Sequence, residues 1–233
     1  MASSGLSRPE EKSRISAVAD LAVAIGVFAI VSATVPFLNP ILRHGKSLAF
    51  AFAAAAYQFL AEGLAPLGLM WLRREPFHDY GLVRRNLWKS LALGLALAVL
   101  YDLALSWHAG ALLWVPLRRQ PAVRMSLAAG FPLGLAGLAA AILTWGFLEG
   151  FFGVYFARMV NIAVGHNGRG WLAPGAVAFA LFNGGIHLIV GQGLEGFLTS
   201  FASGYAIAVV PAITENAWGS ALVQTLTNAV GKL

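Results

Sequence analysis

Glu149, His187, Gln224 and Asn228 are the residues of this chain whose types and spacing could carry chemistry. Glu149 lies in Trp145-Gly-Phe-Leu-Glu-Gly-Phe-Phe-Gly-Val-Tyr155, where three glycines permit close helix approach. His187 ends Phe182-Asn-Gly-Gly-Ile-His187, with Asn183 one helical turn before it on the same face. Gln224 and Asn228 are also four apart, so two amides share one face of the last apolar run. A Glu and a His that share a water can remove its proton, making a nucleophile without a metal or a covalent intermediate. Amide donors on the opposite side could hold the oxyanion of a tetrahedral intermediate, where losing one donor typically costs about 2.7–4 kcal/mol of barrier. The same groups would serve equally well as a structural hydrogen-bond network between helices. Spacing alone does not choose between them. Only one histidine lies deep in an apolar run and no His-Glu-x-x-His pattern occurs, which argues against catalytic zinc. No cofactor is expected.

The elements that must position these residues are membrane helices. Of 233 residues, 58% are hydrophobic and 11% charged, with a mean hydropathy of +0.72; soluble domains run nearer 45–50% apolar and about 25% charged. That balance excludes a soluble enzyme and a disordered regulator. Cysteine is absent, which removes disulfides and thiolate chemistry. A spanning helix needs about 20 mostly apolar residues. Runs of this kind cover 15–38, 47–72, 88–107, 133–156, 171–190, 194–213 and a short 216–233. The expected fold is all-α, a polytopic transmembrane bundle of about seven spans, with a polar tail over 1–14 and one transmembrane domain over 15–233.

The net charge of +6 follows from topology. Alternate loops carry ten positive residues against six, with Arg73, Arg74, Arg84, Arg85 and Lys89 in one loop. By the positive-inside rule the N-terminus is cytoplasmic, and nucleic acid is not an expected partner. Membrane lipids are. Acids inside apolar runs cost about 2.5–3.5 kcal/mol each on insertion scales, which marks them as site candidates. Asp20 and Glu195 lie near span ends, where interfacial water is expected to solvate them, whereas Glu62, Asp102 and Glu149 lie deeper.

The order of Glu149, His187 and the late amides resembles the CPBP family of CAAX proteases and bacteriocin-processing enzymes, which are multi-span intramembrane endopeptidases. Asn216-Ala-Trp218 followed by Gln224-Thr-Leu-Thr-Asn228 is similar to the family's Asn-hydrophobic-Trp signature and late His-x-x-x-Asn motif, with Gln224 at the histidine position. Phe77-His-Asp-Tyr-Gly-Leu82, leading through Arg84 and Arg85 into a span, is similar to its entry loop. The resemblance covers about residues 77–228. With Glu149 as the first glutamate of the Glu-Glu-x-x-x-Arg motif, Gly150 and Val154 stand in the other places; with Glu149 as the second, Phe152 aligns better and the arginine is still missing, and in either frame Phe182 falls one residue early for Phe-x-x-x-His. The resemblance implies a metal-independent endopeptidase acting on a membrane-anchored peptide or protein. In it Glu149 is general base, His187 assists, and Gln224 and Asn228 are oxyanion donors. The lost motif residues leave a degenerate scaffold that binds a partner as the alternative. A small transporter, using Glu62, Asp102 and Glu149 along one path, is a third reading.

Overall fold

The computed structural model describes residues 12–34, 48–110 and 121–230, apart from the side chains of 121–124 and 228–230. Among the described residues every regular element is helical. The helices are α1 (Arg14–Ala33), α2 (Leu48–Arg73), α3 (Leu87–His108), α4 (Pro121–Ala129), α5 (Leu133–Val164), α6 (Pro174–Ile189), α7 (Gly193–Thr214) and α8 (Trp218–Val230). Five of them, α1, α2, α3, α5 and α7, are long and apolar enough to cross a membrane. The two remaining predicted spans are shorter helices, 16 residues in α6 and 13 in α8.

Local chemistry explains the boundaries. The Ser13 hydroxyl accepts from the Ser16 amide and opens α1. Proline at the first position of α6 gives up only an amide that would be unpaired in any case. Gly165, with φ at 71°, closes α5 in the left-handed conformation that a side chain would resist. The helix thus ends at Val164, eight residues after Phe156, the predicted end of the run, because polar residues such as Arg158 and Asn161 continue the helix beyond the apolar stretch.

Two helices carry a wide turn. In α2 the segment Phe59–Gly63 is π-helical; Pro66 cannot donate to the Glu62 carbonyl and would crowd it, and the wider turn accommodates both. In α5 the π segment is Ile142–Leu148, where the Thr144 hydroxyl donates to the Ala140 carbonyl at 2.8 Å. A third break is repaired from outside. Pro211 lies within α7 and leaves the Ile207 carbonyl without its α-helical donor. Ser220 of α8 supplies one, its hydroxyl donating to that carbonyl at 2.7 Å.

Close approach is made by small residues. A Cβ at Gly94 of α3 would sit 2.5 Å from the Gly219 carbonyl oxygen, so α3 and α8 touch backbone to backbone. The core is aromatic where α1, α5 and α6 meet: Phe28 lies 5.8 Å from Phe152 and 5.7 Å from Phe182, and Phe156 lies 4.9 Å from Phe182. Lipid-like exteriors surround it, with Ile15, Trp71, Trp88, Trp107 and Leu188 exposed.

Ser220→Ala is expected to destabilise the protein by about 1–3 kcal/mol, the cost of a buried carbonyl left without a donor. Thermal unfolding in detergent reads this. Adding Pro211→Ala restores an amide hydrogen to the same carbonyl and should recover most of the loss; strict additivity of the two changes would show that this carbonyl is not the cause.

Candidate functional site

The two π segments meet, and a carboxyl pair forms at their junction. Glu62 is buried on α2 and lies close enough to Glu149 of α5 for the two carboxyl groups to interact electrostatically. Gln58, one turn before Glu62, bridges them: its amide nitrogen donates to Glu149 Oε2 at 3.3 Å and it also hydrogen-bonds Glu62. The second Glu62 oxygen, Oε2, is buried without a hydrogen-bond partner. The i, i+4 spacing of Gln58 and Glu62 was a readable sign that they share a face. Nothing in the sequence said that this face would meet Glu149.

His187 reaches the same depth through the α5–α6 hairpin. Gly175 packs on the Ala157 carbonyl, Phe156 on Phe179 at 5.5 Å, and Phe152 on Phe182 at 6.2 Å. This antiparallel register places positions 149 and 187 within about 4 Å of each other along the helix axes, at 1.5 Å per residue. With α5 ending at Phe156 the two would lie far apart; its continuation to Val164 moves Glu149 to mid-helix and removes that separation. Helix α6 runs unbroken through Gly184 and Gly185, so no kink is involved. The half-buried imidazole places Nδ1 2.8 Å from Gln192 Oε1. With Nδ1–H donating to that oxygen, Nε2 carries the lone pair of the neutral ring.

Gln224 is buried in α8. Gly146 lies against Thr225, and Gly150 against Ser220 and Ala221, so α8 is antiparallel to α5 and Gln224 falls within about 3 Å of the depth of Glu149. Asn228 lies in the last turn of α8, and its side chain is outside the described residues. Thus Glu149, His187 and Gln224 share one level of the bundle, where Glu62 and Gln58 contact Glu149. Asp102 is buried elsewhere, on α3, beside Tyr101, whose hydroxyl meets Ser203 of α7.

Asp20 departs from expectation. It is 1% exposed, and ion pairs neutralise it where interfacial water had been expected to solvate it. Arg73 grips Oδ1 with Nε at 2.9 Å and with Nη2, and Lys12 lies 2.7 Å from Oδ2 and 2.7 Å from Glu75. Tyr80 donates to Glu75 and stacks on Tyr155 at 5.4 Å. Burial, and then the Glu75 carboxylate it faces, hold the Tyr80 phenol above its usual range, so it stays a donor. Glu195 is exposed beside His108, as its place near a span end implies.

Asn216 ties the loop before α3 to the last helix. Its side-chain nitrogen donates to the Val83 and Arg85 carbonyls at 2.7 and 2.8 Å, and its side-chain oxygen accepts from the Trp218 amide at 3.0 Å. Gly81 accepts from the Ala217 amide, and Ser90 donates to the Asn216 carbonyl. Among the described residues no group of three His, Asp or Glu could hold a metal ion. Comparison of the chain with known protein families, curated proteins and solved structures finds no match.

A carboxylate cannot donate to two carbonyls. Asn216→Asp is therefore expected to cost about 2 kcal/mol for its two lost donor bonds, and Asn216→Ala about 3 kcal/mol for all three. Hydrogen exchange over residues 77–90 should rise in both variants. An Asp variant with native protection there would mean that the amide donors are unimportant.

Proposed function

We propose that this protein is a seven-span membrane hydrolase, resembling the CPBP endopeptidases, that cleaves a peptide bond of a membrane-anchored substrate with a water activated at Glu149. The observation that carries the reading is the Glu62–Glu149 carboxyl pair at the junction of two π-bulged helices, since π-bulges and paired acids are both characteristic of working sites. The family motif has two adjacent glutamates; here α2 supplies the second carboxyl from outside the motif.

In the reaction Glu149 accepts a proton from water, and the oxygen adds to the substrate carbonyl carbon. His187 assists through its Nε2 lone pair. Gln224 and Asn228 donate to the oxyanion. Collapse breaks the C–N bond, and the proton held on Glu149 passes to the leaving amine, so no metal or external reactant enters the balance. Glu62 and Gln58 hold Glu149 in place between the two proton transfers.

Topology is part of the proposal. Lys12, Arg73, Arg85, Arg158 and Arg169 gather at one end of the bundle through the ion pairs and packing around Tyr80 and Glu215, while His108 and Glu195 pair at the other. Seven passes with a cytoplasmic N-terminus put the cationic end inside. The missing motif arginine, absent in either frame around Glu149, favours the second reading: a scaffold that binds a membrane partner without cleaving it.

The test uses purified protein in liposomes with a library of membrane-anchored peptides, read by mass spectrometry. Cleavage is expected, falling at least 100-fold in Glu149→Ala, in line with loss of a general base, and about tenfold or more in Glu62→Gln. Cleavage that survives both Glu149→Ala and His187→Ala would refute the mechanism. Partner capture that is unchanged in Glu149→Ala, with no cleavage by the wild type, would establish the scaffold.

A further inference from the structure

At the cationic end a cavity of about 360 Å³ opens between the Phe77–Gly81 turn, the last turns of α5, the 166–169 loop and the end of α7. That volume is within the usual range for small-ligand sites, about 300–1,000 Å³. Helix α5 is 32 residues long, about 48 Å at 1.5 Å per residue, against a hydrocarbon core of about 30 Å. With the polar Arg158 and Asn161 in its last turns, we place that excess length at the C-terminal end of α5, at headgroup depth or beyond.

The carboxylates around this cavity are already engaged. Asp20 is held by Lys12 and Arg73, Glu75 by Lys12 and Tyr80, and Glu215 by Arg85 at 3.2 Å and Arg169 at 2.7 Å, while Asp79 lies 3.2 Å from His78, an ion pair when that imidazole is protonated. Arg158 is different. Its guanidinium lies over the Tyr80 ring, 5.1 Å from the centroid, and its Nε is buried without a hydrogen-bond partner. Among the described residues no carboxylate pairs with it. Stacking on a ring face leaves the in-plane N–H groups of the fork unused, and a half-buried cation without an anion is a standing electrostatic cost.

The neighbouring polar groups present donors. His166 Nδ1 accepts from the Gly168 amide at 3.0 Å, which leaves the proton of the neutral ring on Nε2. Asn161 Oδ1 accepts from the Gly175 amide at 2.8 Å, which leaves its NH₂ as the unspent group, packed beside Gly168. A guanidinium fork, an imidazole N–H and an amide NH₂ lining one cavity make a donor set for a tetrahedral oxyanion, and the fork matches phosphate geometry.

We propose that this cavity binds a phosphate group, with Arg158 as its principal partner and His166 and Asn161 completing the cradle. The group comes either from the headgroup of an anionic phospholipid or from a soluble phosphate compound. The site shares no residue with the carboxyl pair and stands whether or not the chain cleaves peptides.

The experiment measures thermal stability of the full chain in two arms. In neutral detergent, inorganic phosphate is titrated against chloride at equal ionic strength; in nanodiscs, phosphatidylcholine alone is compared with added phosphatidylglycerol. A saturable stabilisation by phosphate in detergent identifies a soluble ligand. Stabilisation only by phosphatidylglycerol identifies the headgroup, and both together show that the phosphate group alone is recognised. Arg158→Gln is expected to weaken the response at least tenfold, Arg158→Lys by less, and Arg74→Gln, outside the cavity, not at all. His166→Ala, at an exposed loop position, is expected to weaken it several-fold and serves should Arg158→Gln fail to fold. Absence of stabilisation in both arms, or an unchanged response in His166→Ala and in whichever Arg158 variants fold, overturns the proposal.

Discussion

Both side-chain amide hydrogens of Asn216 are spent on the Val83 and Arg85 carbonyls, and its side-chain oxygen on the Trp218 amide. Those three bonds fix where α8 begins, and the bundle depends on that starting point. From there Gly219 meets Ser90 and Gly94 of α3, Ser220 reaches the Ile207 carbonyl orphaned by Pro211, and Thr225 fills the space at Gly146. The last contact is on the π segment that leads into Glu149. In a medium without water each loose backbone group must find a protein partner, so a short helix supplies the missing donor of α7 while it packs closely on α3 and α5.

The membrane treats the two sets of buried charge differently. At the cationic end Asp20 and Glu75 are matched by Lys12 and Arg73, and the aromatic stack of Tyr80 on Tyr155 covers them. Such a network fastens α1, α2 and α5 to the loop before α3. At mid-bundle Glu62 and Glu149 have the Gln58 amide between them. Burying two acids together at this depth is costly, which is why this pair carries the proposed site. The wide turns of α2 and α5 lie beside the same pair, Glu62 within one and Glu149 directly after the other.

Several features were legible residue by residue. Glu149, His187 and the late amides were marked by their rarity in apolar runs, and Asn216-Ala-Trp218 by its likeness to a known signature. The clustering of arginines marked one end of the bundle before any fold was built. Other features were not legible. The partnership of Glu62 with Glu149 and the rescue of Asp20 by Arg73 join residues 87 and 53 positions apart, and a helical period reports only the face a residue shares with its own neighbours. The reach of α5 to Val164 was hidden because hydropathy measures where lipid ends, whereas the helix ends where Gly165 can turn.

By itself the sequence determined the solvent, the helical class and the charged end, because composition and loop charge set transfer free energies that no packing can reverse. Tertiary structure alone decided which acids are neutralised and which are paired with each other. It also decided that 149, 187 and 224 share a level, through a hairpin register set by Gly175 on Ala157 and by stacked phenylalanines. The physical reason is that depth along a helix follows from residue count, but the neighbour across a helix interface follows from which small residues let two backbones close.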